Sequence, residues 1–481
     1  MATSIWTAVL ILQELAVLIV IVVILRRPRE PRAMLAWILA MLLLPGLGLL
    51  LFLVFGEPRK RWHRRRRRRR RKSLAGSLAE QAQALRSVHA KDLSEQLGSG
   101  PGRLVRLAER LGAHAATRDN DVHIYHDAEQ TFLALQLAIK SAVSHIHMEY
   151  YIFQADETGT AIRDLLIAKS REGVEVRVLL DFIGCWRMPR SFVRPMREAG
   201  VKVAFAMPVI PWRGRWHVNY RNHRKIAILD GRLGFTGSQN IGDEYRGRLA
   251  RYGPWRDTHL RITGPGVHHL QEIFAEDWHY TTKEDVVANE YFPLAEGSGD
   301  HIVQIVPSGP DRRVHVMHHL LFAAVTAAEK SISVITPYFV PDAAMVLAFQ
   351  AACYRGVNVR FIVPSCTDHR VVLWAGRSFY EELISAGAEI YEEDHTVLHS
   401  KVMVIDQTWA MVGSANMDER SFRLSFEATA VLYSSDLAVE LYNDFEALRR
   451  TSRCVTRKEL ANASFIQTLG LGMARIASPL L

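Results

Sequence analysis

Two stretches of the sequence decide how the whole chain is interpreted. Residues 222–240 read NHRKIAILDGRLGFTGSQN, and residues 399–416 read HSKVMVIDQTWAMVGSAN. Both follow the pattern H-x-K-x4-D-x6-G-S-x-N, with the same spacing at every position. One copy of so short a pattern is weak evidence. Two copies with identical spacing predict two related units that share a chemical task.

The sequence around the two motifs is repeated as well. The matching pairs are residues 145–153 with 331–339, 172–181 with 355–364, and 197–205 with 384–392. Short β-type runs alternate with amphipathic helical runs, which is typical of βαβ units. This order indicates an internal duplication and predicts an α/β fold of two similar lobes, over residues 121–300 and 301–454.

Within each lobe, the motif is expected at the start of a buried strand, because KIAILD and KVMVID are apolar and rich in β-branched residues. Side chains two positions apart on a strand share a face, which places His223 beside Lys225 and His399 beside Lys401. The following strand is expected to bring the Gly-Ser and Asn of each motif back to the same end.

Each lobe therefore offers an imidazole, an ammonium, a hydroxyl and a carboxamide, and this set suits a phosphodiester. Displacement at phosphorus needs an entering and a leaving group on opposite sides, so two facing imidazoles can act as nucleophile and general acid. The predicted phosphate-binding residues are Lys225, Lys401, Asn240, Asn416, Ser238 and Ser414. The sequence shows no convincing cluster of metal ligands, and we expect neither a metal nor another cofactor.

The excess positive charge lies at the N-terminal end. The 481-residue chain has a net charge of +10, and residues 1–72 hold 16 of its 60 Lys and Arg but three of its 50 acidic residues. The remaining body is therefore close to neutral. A neutral body argues against nucleic acid as a partner, because nucleic-acid-binding proteins usually present a basic surface.

Two apolar runs, residues 5–25 and 33–55, predict a transmembrane helical hairpin over residues 1–58. A cleaved signal peptide is disfavoured because no basic segment precedes the first run and a second run follows. Eight consecutive Arg at residues 64–71 predict that the chain beyond the hairpin is cytoplasmic. The same run is expected to contact anionic membrane lipids; nucleic-acid binding is the alternative that its position beside the membrane disfavours.

Two further segments complete the predicted organisation. Residues 59–120 are expected to form a basic juxtamembrane segment followed by linker helices. Residues 455–481 contain an apolar stretch among polar residues, and we expect an amphipathic tail that docks on a membrane.

The paired motifs resemble the HKD signatures of the phospholipase D superfamily, and the resemblance covers about residues 120–450. The predicted hairpin, WRDTHLRITGP at residues 255–265, FAEDW at residues 274–278 and the terminal ASPLL resemble the bacterial cardiolipin synthases in particular. This resemblance implies two phospholipase D-like lobes at the bacterial inner membrane. It also implies that a phosphatidyl group passes between two phosphatidylglycerol molecules, releasing glycerol.

The resemblance also implies roles for individual residues. One motif histidine forms a phosphatidyl-histidine intermediate and the other carries the proton; we favour His223 as the nucleophile and His399 as the acid and base. An acidic residue downstream of each motif is implied to orient its imidazole, which assigns Asp257 to His223 and Glu427 to His399. Asp230 and Asp406 complete the motifs and are grouped with the catalytic residues, although a supporting role in the lobes is expected.

Three alternatives stay open at this point. The same chemistry with water or another alcohol as acceptor would make the chain a membrane phospholipase D or a different transferase, because the motifs recognise the phosphate and not the acceptor. A membrane-tethered nuclease is disfavoured by the near-neutral body. A scaffold that only binds anionic lipid would need the Arg run alone, and two intact motifs argue against it.

Overall fold

The computed structural model describes residues 2–26, 31–55, 93–98, 100–210, 215–216, 219–248, 253–294, 297, 299–312, 314–367 and 369–478. These residues belong to two units that divide between residues 68 and 69. The Arg run, most of the predicted juxtamembrane segment and the last three residues of ASPLL lie outside the described residues.

The described residues of the first unit form helices α1 (Ala2–Leu25), α2 (Pro31–Leu43) and α3 (Pro45–Phe55). The second apolar run of the sequence, residues 33–55, is divided between two of these helices, α2 and α3. The run breaks before Pro45, since proline lacks a backbone N–H and disfavours helical geometry in the residue before it. In the described part of the chain, no helix combines the length and apolar character needed to cross a membrane. The predicted transmembrane hairpin is therefore not confirmed.

In the second unit, helix α4 (Pro101–Leu111) precedes the first lobe, and its buried side chains include Leu104, Val105 and Ala108. The helices of the first lobe are α5 (Ala128–Ser141), α6 (Glu157–Arg171), α7 (Arg190–Glu198) and α8 (Gly266–Thr282). Its strands are β1 (Thr117–Tyr125), β2 (His145–Tyr150), β3 (Glu175–Asp181), β4 (Lys202–Ala206), β5 (Val209–Ile210), β6 (Arg215–Trp216), β7 (Arg221–Asn222), β8 (Ile226–Leu229), β9 (Leu233–Gly237), β10 (Trp255–Arg256) and β11 (His259–Thr263).

The second lobe repeats this arrangement. Its strands are β12 (His301–Ser308), β13 (Ser331–Ile335), β14 (Phe339–Val340), β15 (Asn358–Pro364), β16 (Glu389–Glu393), β17 (Val397–Leu398), β18 (Val402–Ile405), β19 (Trp409–Gly413), β20 (Met417–Asp418), β21 (Ser425–Leu432) and β22 (Arg453–Cys454). Its helices are α9 (Val316–Ala327), α10 (Ala343–Tyr354), α11 (Arg370–Arg377), α12 (Tyr380–Ala386), α13 (Glu419–Arg423) and α14 (Ser435–Thr451), followed by α15 (Arg457–Ala461) and α16 (Phe465–Ala477).

In the part of the chain that the structure describes, a 16-stranded sheet runs through both lobes. From its middle outward, the first lobe has the order β1-β11-β9-β8-β2-β3-β4, and the second has β12-β21-β19-β18-β13-β15-β16. The two orders correspond strand for strand, and antiparallel pairing of β1 with β12 joins them. The predicted α/β fold with two similar lobes is confirmed.

The motif strands β8 and β18 lie inside this sheet and are buried along their whole length. Helices α8 and α14 cover one face, in an apolar core that includes Phe274 from the first lobe and Phe445 from the second. Burying one such side chain contributes about 2–3 kcal/mol. Because this core crosses the lobe boundary, it fixes the positions of the two motif strands relative to each other.

Candidate active site

Both motif histidines lie in extended segments that pair with the other lobe. The residues just before His223 form β7, which runs parallel to the start of β21. The residues just before His399 form β17, which runs parallel to β10. The backbone N–H of His223 donates to Phe426 O at 2.9 Å, and that of His399 donates to Arg256 O at 2.8 Å. Each histidine is therefore positioned by the backbone of the opposite lobe.

Each histidine also contacts a carboxylate of the opposite lobe. His223 Nδ1 lies 3.1 and 3.0 Å from the two carboxylate oxygens of Glu427, and His399 Nδ1 lies 2.8 Å from Asp257 Oδ1. The prediction that Asp257 orients His223 and Glu427 orients His399 is wrong, although both carboxylates do lie beside an imidazole. With Nδ1 as the donor to a carboxylate, the lone pair of each imidazole is at Nε2.

The physical reason is strand pairing, because each carboxylate directly follows a segment that pairs across the lobes. Glu427 comes one residue after Phe426, which pairs with Asn222. Asp257 comes one residue after Arg256, which pairs with Leu398. The order of residues along the chain does not show which lobe such a segment pairs with, so the sequence assigned each carboxylate to its own lobe.

The motif serines hold the carboxylates. Ser238 Oγ donates to Asp257 Oδ1 at 2.5 Å and accepts from the N–H of Thr258 at 3.0 Å. Ser414 Oγ donates to Glu427 Oε2 and accepts from the N–H of Ala428 at 3.0 Å. Their predicted contact with phosphate is wrong in this structure, because a hydroxyl has one proton and here a carboxylate accepts it.

The motif lysines are buried behind the histidines. Lys225 Nζ donates to the carbonyl oxygen of His223 at 2.8 Å, and Lys401 Nζ donates to that of His399 at 2.7 Å. Burial lowers the pKa of Lys401 to about 8 and holds the pKa of Lys225 well below its ordinary value. Each lysine lies two residues after the histidine of its motif. Its side-chain amine therefore contacts the backbone of that histidine in both lobes.

The two motif asparagines differ. Asn240 uses both ends of its carboxamide within the protein: Oδ1 accepts from the N–H of Ile152 at 3.2 Å and Nδ2 donates to Tyr245 Oη at 3.1 Å. Asn416 is also buried, but no donor among the described residues reaches its Oδ1. The Oδ1 acceptor of Asn416 is therefore not used by the described residues. Both ends of the Asn240 side chain, in contrast, form hydrogen bonds within the first lobe.

Asp230 and Asp406 lie at the far ends of the motif strands from the histidines. Asp230 accepts hydrogen bonds from the N–H groups of residues 143–145, and Asp406 accepts from those of residues 329–331. Both residues have positive φ angles, 54° and 53°. The prediction that groups them with the catalytic residues is wrong: each carboxylate holds the turn that leads into the neighbouring antiparallel strand, β2 in the first lobe and β13 in the second.

Protonation differs between the two halves. Burial, with the charges of Lys225 and Lys401, holds the pKa of His223 well below its ordinary value. Burial also lowers the pKa of His399, but the Asp257 carboxylate opposes that effect. Burial raises the pKa of Glu427 to about 8. Burial acts in the same direction on Asp257, yet His399, Lys401 and Ser238 together lower its pKa to about 2.

Sequence reasoning gives three nearby residues no role. Arg224, inside the first motif, donates from Nε to the backbone oxygen of Glu427 at 3.1 Å and pairs with Asp277 of the FAEDW segment. Trp255 Nε1 donates to Asp257 Oδ2 at 2.9 Å. The charge of Arg420 reaches His223 and lowers its pKa. The available signals were the extra cation in HRK, the Trp in WRD, and the Arg four residues after Asn416.

One group of side chains in the described part of the chain could hold a cation. Ring and carboxylate atoms of His114, His269 and Glu272 lie within 4.8 Å of one another, and all three residues are buried. The two imidazole rings stack almost parallel, with centroids 4.6 Å apart, and His114 Nδ1 lies 3.2 Å from Glu272 Oε2. The group contains no motif residue, and we derive no chemical step from it.

The comparisons with known proteins agree with the duplicated site. A family model described as "Cardiolipin synthase, PLD-like domain" matches residues 135–278 and 321–449, one stretch in each lobe. A second, described as "Phospholipase_D-nuclease N-terminal", matches residues 15–57.

Relatives of similar length carry the same description. A cardiolipin synthase from Alkalihalophilus pseudofirmus is 37% identical, over 97% of this chain and 92% of the relative. Cardiolipin synthase 2 from Bacillus cereus is 41% identical, over 87% of this chain and 81% of the relative. The crystal structure of phosphatidylserine synthase from Haemophilus influenzae Rd KW20 matches with a TM-score of 0.60 at 13% identity, over 78% of this chain and 99% of that one. That last likeness concerns the fold alone.

Proposed function

This chain belongs to the cardiolipin synthase family with phospholipase D-like domains and is a phosphatidyltransferase, and we propose that it joins two phosphatidylglycerol molecules into cardiolipin and releases glycerol. The observation that carries the proposal is the exchange between lobes. Each imidazole is oriented by the carboxylate of the opposite lobe, so neither lobe holds a complete catalytic group alone. Such a paired site suits a two-step transfer at one phosphorus atom.

In the first step, His223 Nε2 attacks the phosphorus of one phosphatidylglycerol. The new N–P bond forms as the bond from phosphorus to the glycerol head-group oxygen breaks, and His399 gives its Nε2 proton to that oxygen. The low pKa of His223 supports this assignment, because a nucleophilic imidazole must be neutral. The contact of His399 with the ionised Asp257 supports its role as the proton donor.

In the second step, a head-group hydroxyl of another phosphatidylglycerol loses its proton to His399 Nε2 and attacks the phosphorus. The N–P bond breaks and His223 is restored. Three groups at the site can donate to the non-bridging phosphate oxygens: the side-chain amines of Lys225 and Lys401 and the Nδ2 amino group of Asn416, which lines the same pocket as Lys401. Arg420 adds positive charge on the side of His223.

We further propose that the chain works at the bacterial cytoplasmic membrane, with residues 1–58 associated with the lipid and the two lobes on the cytoplasmic side. Helices α1 to α3 are built mainly of apolar residues, which supports this association. The test is fractionation of cells, followed by protease treatment of sealed vesicles of known orientation. Protection of the lobes in right-side-out vesicles is expected, and their digestion there would place them outside.

Product analysis tests the proposed activity. Purified protein is incubated with phosphatidylglycerol vesicles, and the lipid and water-soluble products are separated. Cardiolipin with an equal amount of glycerol supports the proposal. Phosphatidic acid with glycerol would make the chain a hydrolase, and no turnover would favour a lipid-binding scaffold. Substitution of the exposed His395, which lies outside the motif, provides the matched control for histidine variants.

A further inference from the structure

A loop of the first lobe presents an exposed aromatic side chain beside the active site. The loop follows β3 and contains Ile183 and Trp186, which are 39% and 67% exposed. The guanidinium of Arg187 lies 5.1 Å from the centre of the Trp186 ring. An apolar body with a cation beside it is typical of side chains at a lipid–water interface.

This loop is attached directly to the motif segment. The carboxylate of Asp181 accepts hydrogen bonds from the N–H groups of Ile183 and Gly184, both at 2.9 Å, and from the N–H of Asn222 at 2.8 Å. Asn222 immediately precedes His223. Gly184 packs closely against Tyr151, whose ring lies 4.8 Å from that of His223. The exposed side chains of the loop therefore lie at the rim of the catalytic cleft.

The second lobe has an apolar patch at the corresponding place, after β15. Helix α11 exposes Val371 and Trp374. Gly376 of the same helix packs against the backbone of Phe339 in β14. Strand β14 pairs with β20, which begins one residue after Asn416. The patch thus lies close to the second motif, as the loop lies close to the first.

Helix α16 enlarges this patch. It packs on α11 with Gly470 against the ring of Trp374, where a Cβ would lie 2.5 Å from the ring. Its N-terminus is closed by a capping box between Ser464 and Gln467. The described residues leave one side of the helix exposed, and the side chains there are Phe465, Ile466, Leu469, Met473 and Ile476. Positions spaced in this way fall on one face of a helix.

We propose that Ile183, Trp186, Val371, Trp374 and the exposed face of α16 form one docking surface that inserts into the interface of an anionic phospholipid bilayer. The inference rests on the proposed function, since substrates held in a bilayer must reach a cleft with apolar side chains at both rims. Exposed arginines accompany the surface at positions 187, 190 and 370, which favours anionic head groups. A lipid interface accommodates such a helix by burying its apolar face below the head groups.

Depth-dependent quenching tests this surface directly. The chain has four cysteines, all free. In a full-length variant with these replaced by serine or alanine, single cysteines are introduced by Ile466→Cys, Met473→Cys or Trp186→Cys and labelled with an environment-sensitive fluorophore. The matched control is Val143→Cys, which is 81% exposed, as position 466 is 79% exposed. Val143 lies beside Asp230, at the opposite end of the motif strand from His223.

In phosphatidylglycerol vesicles containing nitroxide-labelled lipid, we expect quenching at positions 466, 473 and 186 to be at least about threefold stronger than at position 143. Equal and weak quenching at all four positions would overturn the proposal. Self-quenching between labels at position 466 without lipid quenching would also overturn it, because a second copy of the chain would then cover the helix.

The same samples separate this inference from the proposed function. Cardiolipin formation without quenching at position 466 would leave the activity standing and remove the docking surface. Quenching without cardiolipin would do the reverse. The double variant Ile466→Ser with Met473→Ser is expected to need about fivefold more vesicle lipid for half-maximal rate. Its rate on phosphatidylglycerol dispersed in detergent micelles should equal that of the Val143→Ser control, and an equal loss on both substrates would indicate damage to the fold instead.

Discussion

The imidazole of His223 faces Glu427, whereas that of His399 faces Asp257, and the two carboxylates are held differently. Asp257 accepts from His399, Ser238 and the Trp255 indole, and its pKa is lowered to about 2. Glu427 lies deeply buried beside His223, and its pKa is raised to about 8. A duplicated motif can therefore produce two electrostatically different halves, because burial and neighbouring donors decide which carboxylate keeps its charge.

This difference suggests separate roles for the two histidines. An imidazole beside an ionised carboxylate is the better carrier of a proton, since the carboxylate stabilises the imidazolium. An imidazole beside a protonated carboxyl group, with cations close by, stays neutral and keeps its lone pair for attack.

The largest effect is expected from the histidines themselves. His223→Ala and His399→Ala should each lower the rate of cardiolipin formation by about 10⁴-fold or more. A phosphatidyl ester with p-nitrophenolate as leaving group separates them, because such a group departs without a proton. On that ester, His399→Ala should still release a burst of p-nitrophenolate and His223→Ala should not. A burst from His223→Ala alone would exchange the two roles.

The carboxylates should show the asymmetry next. Asp257→Asn is expected to lower kcat by about 10³-fold, because His399 loses the negative charge that supports its imidazolium. Glu427→Gln should lower kcat by only about tenfold, because a carboxyl group with a pKa of about 8 is already protonated near neutral pH. Steady-state rates of both variants, with thermal unfolding as the control for folding, check this order. Equal losses would remove the electrostatic difference between the halves.

On the alkaline side, kcat is expected to fall about tenfold per pH unit, because one proton is lost. Lys401 carries its proton below a pKa of about 8 and loses that charge above it, while Glu427 gains charge over the same range. The value of kcat should therefore fall above about pH 8. Measuring Glu427→Gln over the same range assigns the limb: an unchanged limb indicates Lys401, and a lost limb indicates Glu427. A rate that stays constant up to pH 10 would contradict both.

The smallest effect on kcat is expected at the motif aspartates, whose hydrogen bonds are alike in the two lobes. Asp230→Ala and Asp406→Ala should each lower the free energy of unfolding by roughly 2 kcal/mol, because three backbone N–H groups lose an acceptor. The kcat per folded molecule should stay the same. Chemical denaturation and rate measurements on the same samples check this, with Asp230→Asn and Asp406→Asn retaining an acceptor as controls. Lost activity at unchanged stability would return these residues to the catalytic group.

Much of the architecture was predictable from periodicity and spacing. The motif strands and the two lobes follow from the repeated pattern, because buried strands and duplicated units leave regular signals in a sequence. The two carboxylates were implied by the resemblance to the phospholipase D superfamily. The serines were misassigned, since a hydroxyl that approaches a carboxylate cannot be distinguished from one that approaches phosphate without their positions. Arg224 was missed for the same reason: its partners, Asp277 and the backbone of Glu427, lie far away in the chain.

The chemical groups of the site, and the fact that they occur in two sets, can be identified from the sequence alone. Spacing along a strand is a local property, so His, Lys, Ser and Asn could be placed within each lobe. The source of each carboxylate depends on the fold: each histidine takes it from the other lobe, since parallel pairing of β7 with β21 and of β10 with β17 is a long-range contact. The structure also decided which carboxylate is ionised, because burial and hydrogen-bond donors act through space and not along the chain.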